Sequence, residues 1–149
     1  MTRFAYAMRL VGVARRIGSD GNVLRITTVA SGEVFRCPAG LAGSDGSPQP
    51  VLSGEMTCEA DLVLTGQAMF QQTGTIAFGT GGHRLRFSTV GSGHLGPAPD
   101  ADGRHGAVIW RVDGGEGRFA GASGIVACTF LLSDAGEITD HHLGVIFVR

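Results

Sequence analysis

The most informative stretch of this 149-residue sequence reads Asp113-Gly114-Gly115-Glu116-Gly117-Arg118-Phe119-Ala120-Gly121-Ala122-Ser123-Gly124. Five of its twelve residues are glycine, and a glycine inside a helix costs about 1 kcal/mol relative to alanine, so no helix is expected. It also lacks the Lys and Thr of a phosphate-binding loop. Because Ala107–Val112 before it and Ile125–Leu132 after it resemble strands, we predict a tight corner in which Phe119 plugs the end of a barrel.

The rest of the chain alternates between apolar and polar residues in the manner of β-strands. Its 25 glycines are spread along the whole length, without a sustained 3.6-residue apolar period, which indicates an all-β chain. We predict eight strands with long loops at Cys37–Pro50 and Gly91–Gly106; the strands are Phe4–Arg15, Val23–Phe35, Val51–Leu64, Ala68–Phe78, His83–Val90, Ala107–Val112, Ile125–Leu132 and Ile138–Val148.

Eight strands joined by hairpin-like connections predict one domain over residues 1–149. The expected fold is an all-β, eight-stranded antiparallel up-and-down barrel of calycin type with a central cavity. Closure removes the exposed edges that an open sheet would leave. The last strand is apolar on both faces, with Leu143 and Val145 alternating with Ile146 and Val148. One face would then need a partner subunit, which predicts a homo-oligomer.

Composition excludes several classes of partner. A net charge of −1 with 17% charged residues predicts binding to neither nucleic acid nor an anionic membrane. No apolar run approaches the roughly 20 residues of a membrane-spanning helix, and Met1–Tyr6 is too short for a signal peptide. Cys37, Cys58 and Cys128 show no metal-site spacing. We therefore expect a cytoplasmic protein with free thiols and no cofactor.

Several segments carry a family resemblance. Gly114–Gly124 resembles the Gly-Gly-x-Gly-x-Phe-x-Gly-Ala-x-Gly turn of the allene oxide cyclase and dirigent barrels. Phe78–Leu85 is similar to the Phe-Gly-Asp-x-Gly-His-Leu turn of the cyclases, and Gly32–Phe35 to their Gly-Asp-Leu-Val. Gly54–Cys58 lies where those barrels carry a glycine followed by a cavity-lining cysteine. The landmarks come in the family's order between Gly32 and Val148.

The resemblance implies an eight-stranded barrel that assembles as a dimer or trimer. It also implies a cofactor-independent isomerase or cyclase acting on a small, partly apolar, anionic metabolite. The first strand has no acidic residue, so the glutamate that the plant cyclases use there is missing. The alternative is a small-molecule binding or carrier barrel without turnover. A third interpretation is a barrel filled by side chains, whose function lies in oligomerisation.

Two alternatives are open for which residues of the fifth strand point into the barrel. Aligned with the family turn, Arg84 and Arg86 point inward, where they would need a ligand carboxylate or phenolate, or an internal acid such as Glu33, because a buried charge without a partner is costly. With the opposite parity the arginines lie in water, and Leu85 and Phe87 fill the core.

The remaining candidates follow from alternation on the other strands. Asp140 and His142 share a face and could form an acid–base pair. Together with Arg84 and Arg86 they would then be the catalytic residues. The alternative is that they lie at a solvated strand entrance. No His-x-His pair supports a metal site. Residues expected to line the cavity and bind substrate are Cys58, Gln72, Phe70, Glu33, Phe35, Tyr6 and Phe119.

Overall fold

The structure is a computed structural model that describes residues 1–37, 49–99 and 102–149, without the side chains of 31–37, 49–51 and 53. A single 3₁₀ turn, Gly117–Phe119, accompanies the strands within these ranges. The strands are β1 (Thr2–Ile17), β2 (Val23–Cys37), β3 (Gln49–Leu64), β4 (Met69–Phe78), β5 (Arg84–Thr89), β6 (Gly93–Pro97), β7 (Arg104–Glu116), β8 (Ser123–Leu132) and β9 (Glu137–Val148).

The sheet is antiparallel throughout and closes on itself. Its order is β3-β2-β1-β9-β8-β7-β5-β4, and β4 pairs with β3 to complete the circle. β5 and β6 both lie between β4 and β7, so they are two parts of one barrel strand. The barrel therefore has eight strand positions, and the predicted all-β, eight-stranded antiparallel barrel is confirmed.

The interruption between β5 and β6 is a local insertion. Thr73 of β4 pairs with Ser88, whereas Met69 pairs with His94, so two more residues separate the partners than a continuous strand would have. Gly91 in this insertion has φ +69°, a backbone conformation that glycine adopts without strain. The extra residues therefore bulge out of the ladder without opening the barrel.

The prediction of a long loop over Gly91–Gly106 is wrong, because this segment contains β6 and the first residues of β7. The short segment His94-Leu95-Gly96-Pro97 has little intrinsic strand preference, and its pairing with β7 holds it in the sheet. The other predicted long loop is Cys37–Pro50. Its first residue belongs to β2 and its last two residues belong to β3, and residues 38–48 lie outside the described ranges. No helix in the described part is long and apolar enough to cross a membrane.

Aromatic rings fill the middle of the barrel, and glycines make room for them. Each of four interior rings lies over the glycine directly opposite on the neighbouring strand. A Cβ built on any of these glycines would lie 2.2 to 2.6 Å from a ring atom. The pairs are Tyr6 with Gly144, Phe70 with Gly93, Phe130 with Gly106 and Phe87 with Gly74. The interior is thus packed by side chains matched across strands.

Phe119 closes one end of the barrel. Its ring is fully buried and lies 5.6 Å from the ring of Phe4 and 5.0 Å from that of Phe78, measured between centroids. Such tilted and edge-to-face contacts add to the stabilisation from burial alone. The glycine corner between β7 and β8 therefore carries an aromatic plug, as the sequence predicted.

Candidate functional site

The opposite end of the barrel, where turns join β1 to β2, β3 to β4, β6 to β7 and β8 to β9, is called here the hairpin end. It opens into a pocket of about 320 Å³, which lies in the size range of small-molecule sites. Five strands supply its apolar side chains, Ala14, Leu24, Leu64, Leu95 and Leu132. The turn between β8 and β9, which includes Asp134, completes the lining, and Arg104 from β7 and Arg16 from β1 lie at the rim.

A second pocket, of about 640 Å³, adjoins the first. The two share Leu95, Arg104 and Asp134, so Arg104 stands between them. Within the described ranges neither Arg16 nor Arg104 forms an ion pair with a carboxylate. The Nη1 of Arg16 donates to the carbonyl of Gly21, which orients its guanidinium. The hairpin end thus combines apolar walls with two arginines able to meet an anion.

Cys128, Asp140 and His142 form a buried polar cluster in the barrel interior. Asp140 and His142 point inward from β9 because they are two residues apart, and Cys128 of β8 lies directly opposite His142. Cys128 Sγ is 3.8 Å from Asp140 Oδ1, and Asp140 Oδ2 is 3.9 Å from His142 Nε2. Each residue is at most 3% exposed.

The cluster is short of hydrogen-bond partners. Both ring nitrogens of His142 are buried without one, as is the hydroxyl of Tyr6, although buried polar groups in proteins are nearly always paired. The rings of Tyr6 and His142 lie 6.3 Å apart between centroids. Unpaired polar atoms of this kind mark a place where a ligand, an ion or water would be stabilised.

Burial also controls the two interior thiols. It raises the pKa of Cys128 and of Cys58 well above the ordinary value, and the nearby Asp140 carboxylate adds to both shifts. The pKa of Tyr6 is raised as well, chiefly by burial. Because the thiolate is the nucleophilic form, neither cysteine is an activated nucleophile.

The expectation that Arg84 and Arg86 point into the barrel is wrong. Both side chains are exposed, and Arg86 Nη1 lies 3.6 Å from Glu116 Oε1 at the surface. The opposite parity is confirmed, with Leu85 and Phe87 buried and Phe87 stacked on Trp110 at 4.0 Å between centroids. The reason is energetic, since two arginine charges in an apolar interior cost far more than two apolar side chains.

Asp140 and His142 share one face of β9, as predicted, and the structure shows that this face points inward. The solvated strand entrance considered for them is wrong because both are buried. Tyr6, Cys58, Phe70 and Phe119 all lie in the interior. Gln72 is buried too, and its Oε1 accepts a hydrogen bond from Trp110 Nε1 at 3.3 Å, so it already has an internal partner. The side chains of Glu33 and Phe35 lie outside the described part of the structure.

Sequence reasoning missed three residues of these sites: Arg16, Arg104 and Cys128. The arginines could have been found by their place at strand ends on the hairpin side. The signal for Cys128 is the turn-forming sequence Asp134-Ala135-Gly136, which sets Ser133 opposite Glu137. Counting outward from that pair places Cys128 opposite His142.

Comparison with known proteins adds one structural likeness. The structure is similar to that of a dirigent protein. That structure, of the pterocarpan synthase dirigent protein GePTS1, aligns with 100% of this chain and 88% of its own at 15% identity and a TM-score of 0.49. No family model and no curated protein matches the sequence. The barrel fold itself rests on the closed pairing of β3 with β4, and the link to allene oxide cyclases stays a prediction.

Proposed function

We propose that the protein binds a small, partly apolar molecule with one anionic group at the hairpin end. The observation that carries the proposal is the pocket of about 320 Å³, which has leucine walls and Arg16 and Arg104 at its rim. Burial of apolar ligand surface would supply affinity. A guanidinium offers paired donors that match a carboxylate, and it also pairs well with a phenolate.

The charge at the rim favours a monoanion. Arg16, Arg104 and Asp134 together carry one net positive charge, which one carboxylate neutralises. Arg16 is already held by the Gly21 carbonyl, whereas Arg104 stands between both pockets. Arg104 is therefore the residue on which anion binding depends most.

The proposal is tested by thermal unfolding with a panel of aryl and alkyl monocarboxylates and the matching uncharged alcohols. Native mass spectrometry of the purified protein first shows whether a ligand is already bound. We expect carboxylates to raise the melting temperature more than alcohols do, because ligand that binds only the folded state stabilises it. In Arg104→Gln, loss of a charge-assisted hydrogen bond should weaken binding by about tenfold or more.

Arg84→Gln is the matched control, because it removes an exposed arginine from the outer wall. It should keep the carboxylate response of the wild type. An equal response to acids and alcohols, or an unchanged response in Arg104→Gln, would show that the rim does not bind an anion.

Isomerisation or cyclisation of the bound molecule, without a cofactor, is the second candidate function. It rests on the buried pair Asp140 and His142, 3.9 Å apart, because a buried acid and imidazole are suited to proton transfer. Neither residue lines the pocket, so a substrate would have to reach beyond the pocket into the interior. Shape imposed by the apolar walls would help by holding the substrate close to its reacting geometry. Recovery of the ligand chemically unchanged after incubation would favour the carrier without turnover.

We also propose that the barrel assembles with copies of itself through one outer surface. Four exposed apolar side chains form adjacent rows across β7, β8 and β9, namely Ile109, Ile125, Leu143 and Val145. Ala5 and Ala7 extend these rows onto β1. A contiguous apolar patch of this kind is typical of an interface, and it supports the predicted dimer or trimer.

A further inference from the structure

We propose that Cys128, Asp140 and His142 bind a divalent transition-metal ion in the barrel interior, and that Zn²⁺ fits them best. The proposal is independent of ligand binding at the hairpin end, because it involves none of the residues at that rim. It assigns a role to the two ring nitrogens of His142, which the packing of the barrel leaves without hydrogen-bond partners.

The sheet itself brings the three donors together. Asp140 and His142 project from one face of β9, and the β8–β9 register sets Cys128 beside His142. One donor atom from each of the three residues lies within 4.8 Å of the other two. Donor atoms around a tetrahedral zinc ion lie about 3.3 to 3.7 Å apart, given bonds of about 2.0 to 2.3 Å. A contraction of about 1 Å, within reach of side-chain rotation, would close the site.

The donor set matches zinc in chemistry and in charge. A thiolate, an imidazole and one carboxylate form the mixed sulfur, nitrogen and oxygen set of zinc sites, whereas magnesium and calcium prefer several oxygen donors. The thiolate of Cys128 and the carboxylate of Asp140 would carry two negative charges, which one divalent cation neutralises. Charge balance matters here because all three residues are buried and an uncompensated charge in the interior is costly.

The surroundings of the cluster favour metal binding, because the hydrogen bonds within the cluster leave some of its polar atoms without partners. Neither ring nitrogen of His142 has a partner, so one of them is free to coordinate. The Trp110 ring packs edge-on against the His142 ring at 4.9 Å between centroids and holds its orientation. The Tyr6 ring lies 6.3 Å from the His142 ring between centroids, and its hydroxyl has no hydrogen-bond partner, so it could take the fourth coordination position or hold a water molecule there.

Metal binding and proton transfer are alternative uses of the same side chains. As metal ligands, Asp140 and His142 are not free to exchange protons with a substrate. Any turnover that survives removal of metal by a chelator would therefore be catalysed by Asp140 and His142 as a free acid–base pair. Turnover that stops on chelation and returns with Zn²⁺ would belong to the metal site.

The experiment uses the full chain, stripped with a chelator and titrated with Co²⁺. Cobalt bound to a thiolate shows a charge-transfer absorption in the near ultraviolet, which surface histidines do not produce. We expect this band in the wild type, with saturation at one ion per chain and loss of the band on addition of Zn²⁺. Zn²⁺ should also raise the melting temperature of the stripped protein.

Cysteine variants locate the site. The sequence has three cysteines, Cys37, Cys58 and Cys128, so the double variant Cys37→Ser, Cys58→Ser leaves Cys128 as the one thiol and should keep the band. Cys128→Ser, which retains the other two thiols, should lose it. Cys58 is a matched control because it is also a buried interior cysteine but lies outside the cluster.

A second variant keeps the test decisive if Cys128→Ser fails to fold. His142→Gln, checked by circular dichroism, should bind Co²⁺ at least tenfold more weakly, and His141→Gln, on the exposed face, should bind like the wild type. Absence of the band in folded wild-type protein would overturn the proposal. So would a band that persists in Cys128→Ser. Neither result bears on the response of wild type and Arg104→Gln to carboxylates, which tests the hairpin-end pocket separately.

Discussion

Gly144 illustrates how one residue shapes the interior. It lies opposite Tyr6 in the β1–β9 ladder, and a Cβ built on it would lie 2.2 Å from Tyr6 Cε1. The absence of a side chain at Gly144 is therefore what lets the tyrosine ring lie flat against the barrel wall. The same reasoning applies to the other three glycines beneath interior rings.

Gly144→Ala should destabilise the fold by about 1 to 3 kcal/mol, the usual cost of overpacking a core. The free energy of unfolding, measured with urea, tests this. Gly66→Ala is the control, because nothing lies within 4 Å of a Cβ at that position. Equal and small effects of the two substitutions would show that the Tyr6 ring is not confined by the backbone.

Cys128 and His142 show the limit of reasoning from single residues. In the sequence, a lone cysteine in a strand indicates no more than a small buried side chain, and a lone histidine beside it in space has no local signal. Their chemistry emerges only as a pair with Asp140, across two strands and within 4.8 Å.

At the scale of elements, the corner between β7 and β8 explains the glycine-rich stretch. Gly117 has φ +63°, and a Cβ there would lie 2.4 Å from His83 Nδ1, which accepts a hydrogen bond from the Arg118 amide. The corner thus needs glycine both for its backbone conformation and for close approach of the β4–β5 turn. This geometry delivers Phe119 into the end of the barrel.

Phe119→Ala should lower the free energy of unfolding by about 3 to 5 kcal/mol, because it removes a fully buried ring and leaves a cavity. Arg118→Ala, at the neighbouring exposed position, should change it by less than about 0.5 kcal/mol. Thermal or urea unfolding of both variants checks the contrast. A small loss in Phe119→Ala would mean that the corner packs loosely and is no plug.

At the scale of the whole molecule, barrel closure leaves the outer surface to decide assembly. Leu143 is 61% exposed and lies beside Ile125 and Val145. Burial of a single leucine is worth about 1.5 to 3 kcal/mol, so a patch of four apolar side chains contributes substantially to an interface. Arg9, His141 and Arg111 border the patch with polar groups.

Leu143→Glu should convert the oligomer to monomers, because it places a charge in the middle of the proposed interface. Sedimentation equilibrium of wild type and variant measures the change. Val63→Glu is the control, since Val63 is 40% exposed on β3, outside the patch. A monomeric wild type, or an oligomer untouched by Leu143→Glu, would contradict the proposed assembly.

Strand alternation was predictable because it is local. Met56, Cys58, Ala60 and Leu62 alternate with charged and polar neighbours, and their inward face follows from the two-residue period alone. The glycine corner was equally local. The eight strand positions and the antiparallel barrel followed from these signals and from the short turns.

Tertiary structure decided which strands meet and which face of β5 is inside. The family turn placed Arg84 and Arg86 inward, whereas closure of the barrel placed Leu85 and Phe87 there. The filled interior depends on glycine and aromatic residues meeting across strands, and the cluster of Cys128, Asp140 and His142 depends on the β8–β9 register. The sequence by itself therefore determined the barrel class and the strands other than β6, which local periodicity encodes. The contents of the interior and the position of the pocket were left to contacts between distant residues, which no local pattern encodes.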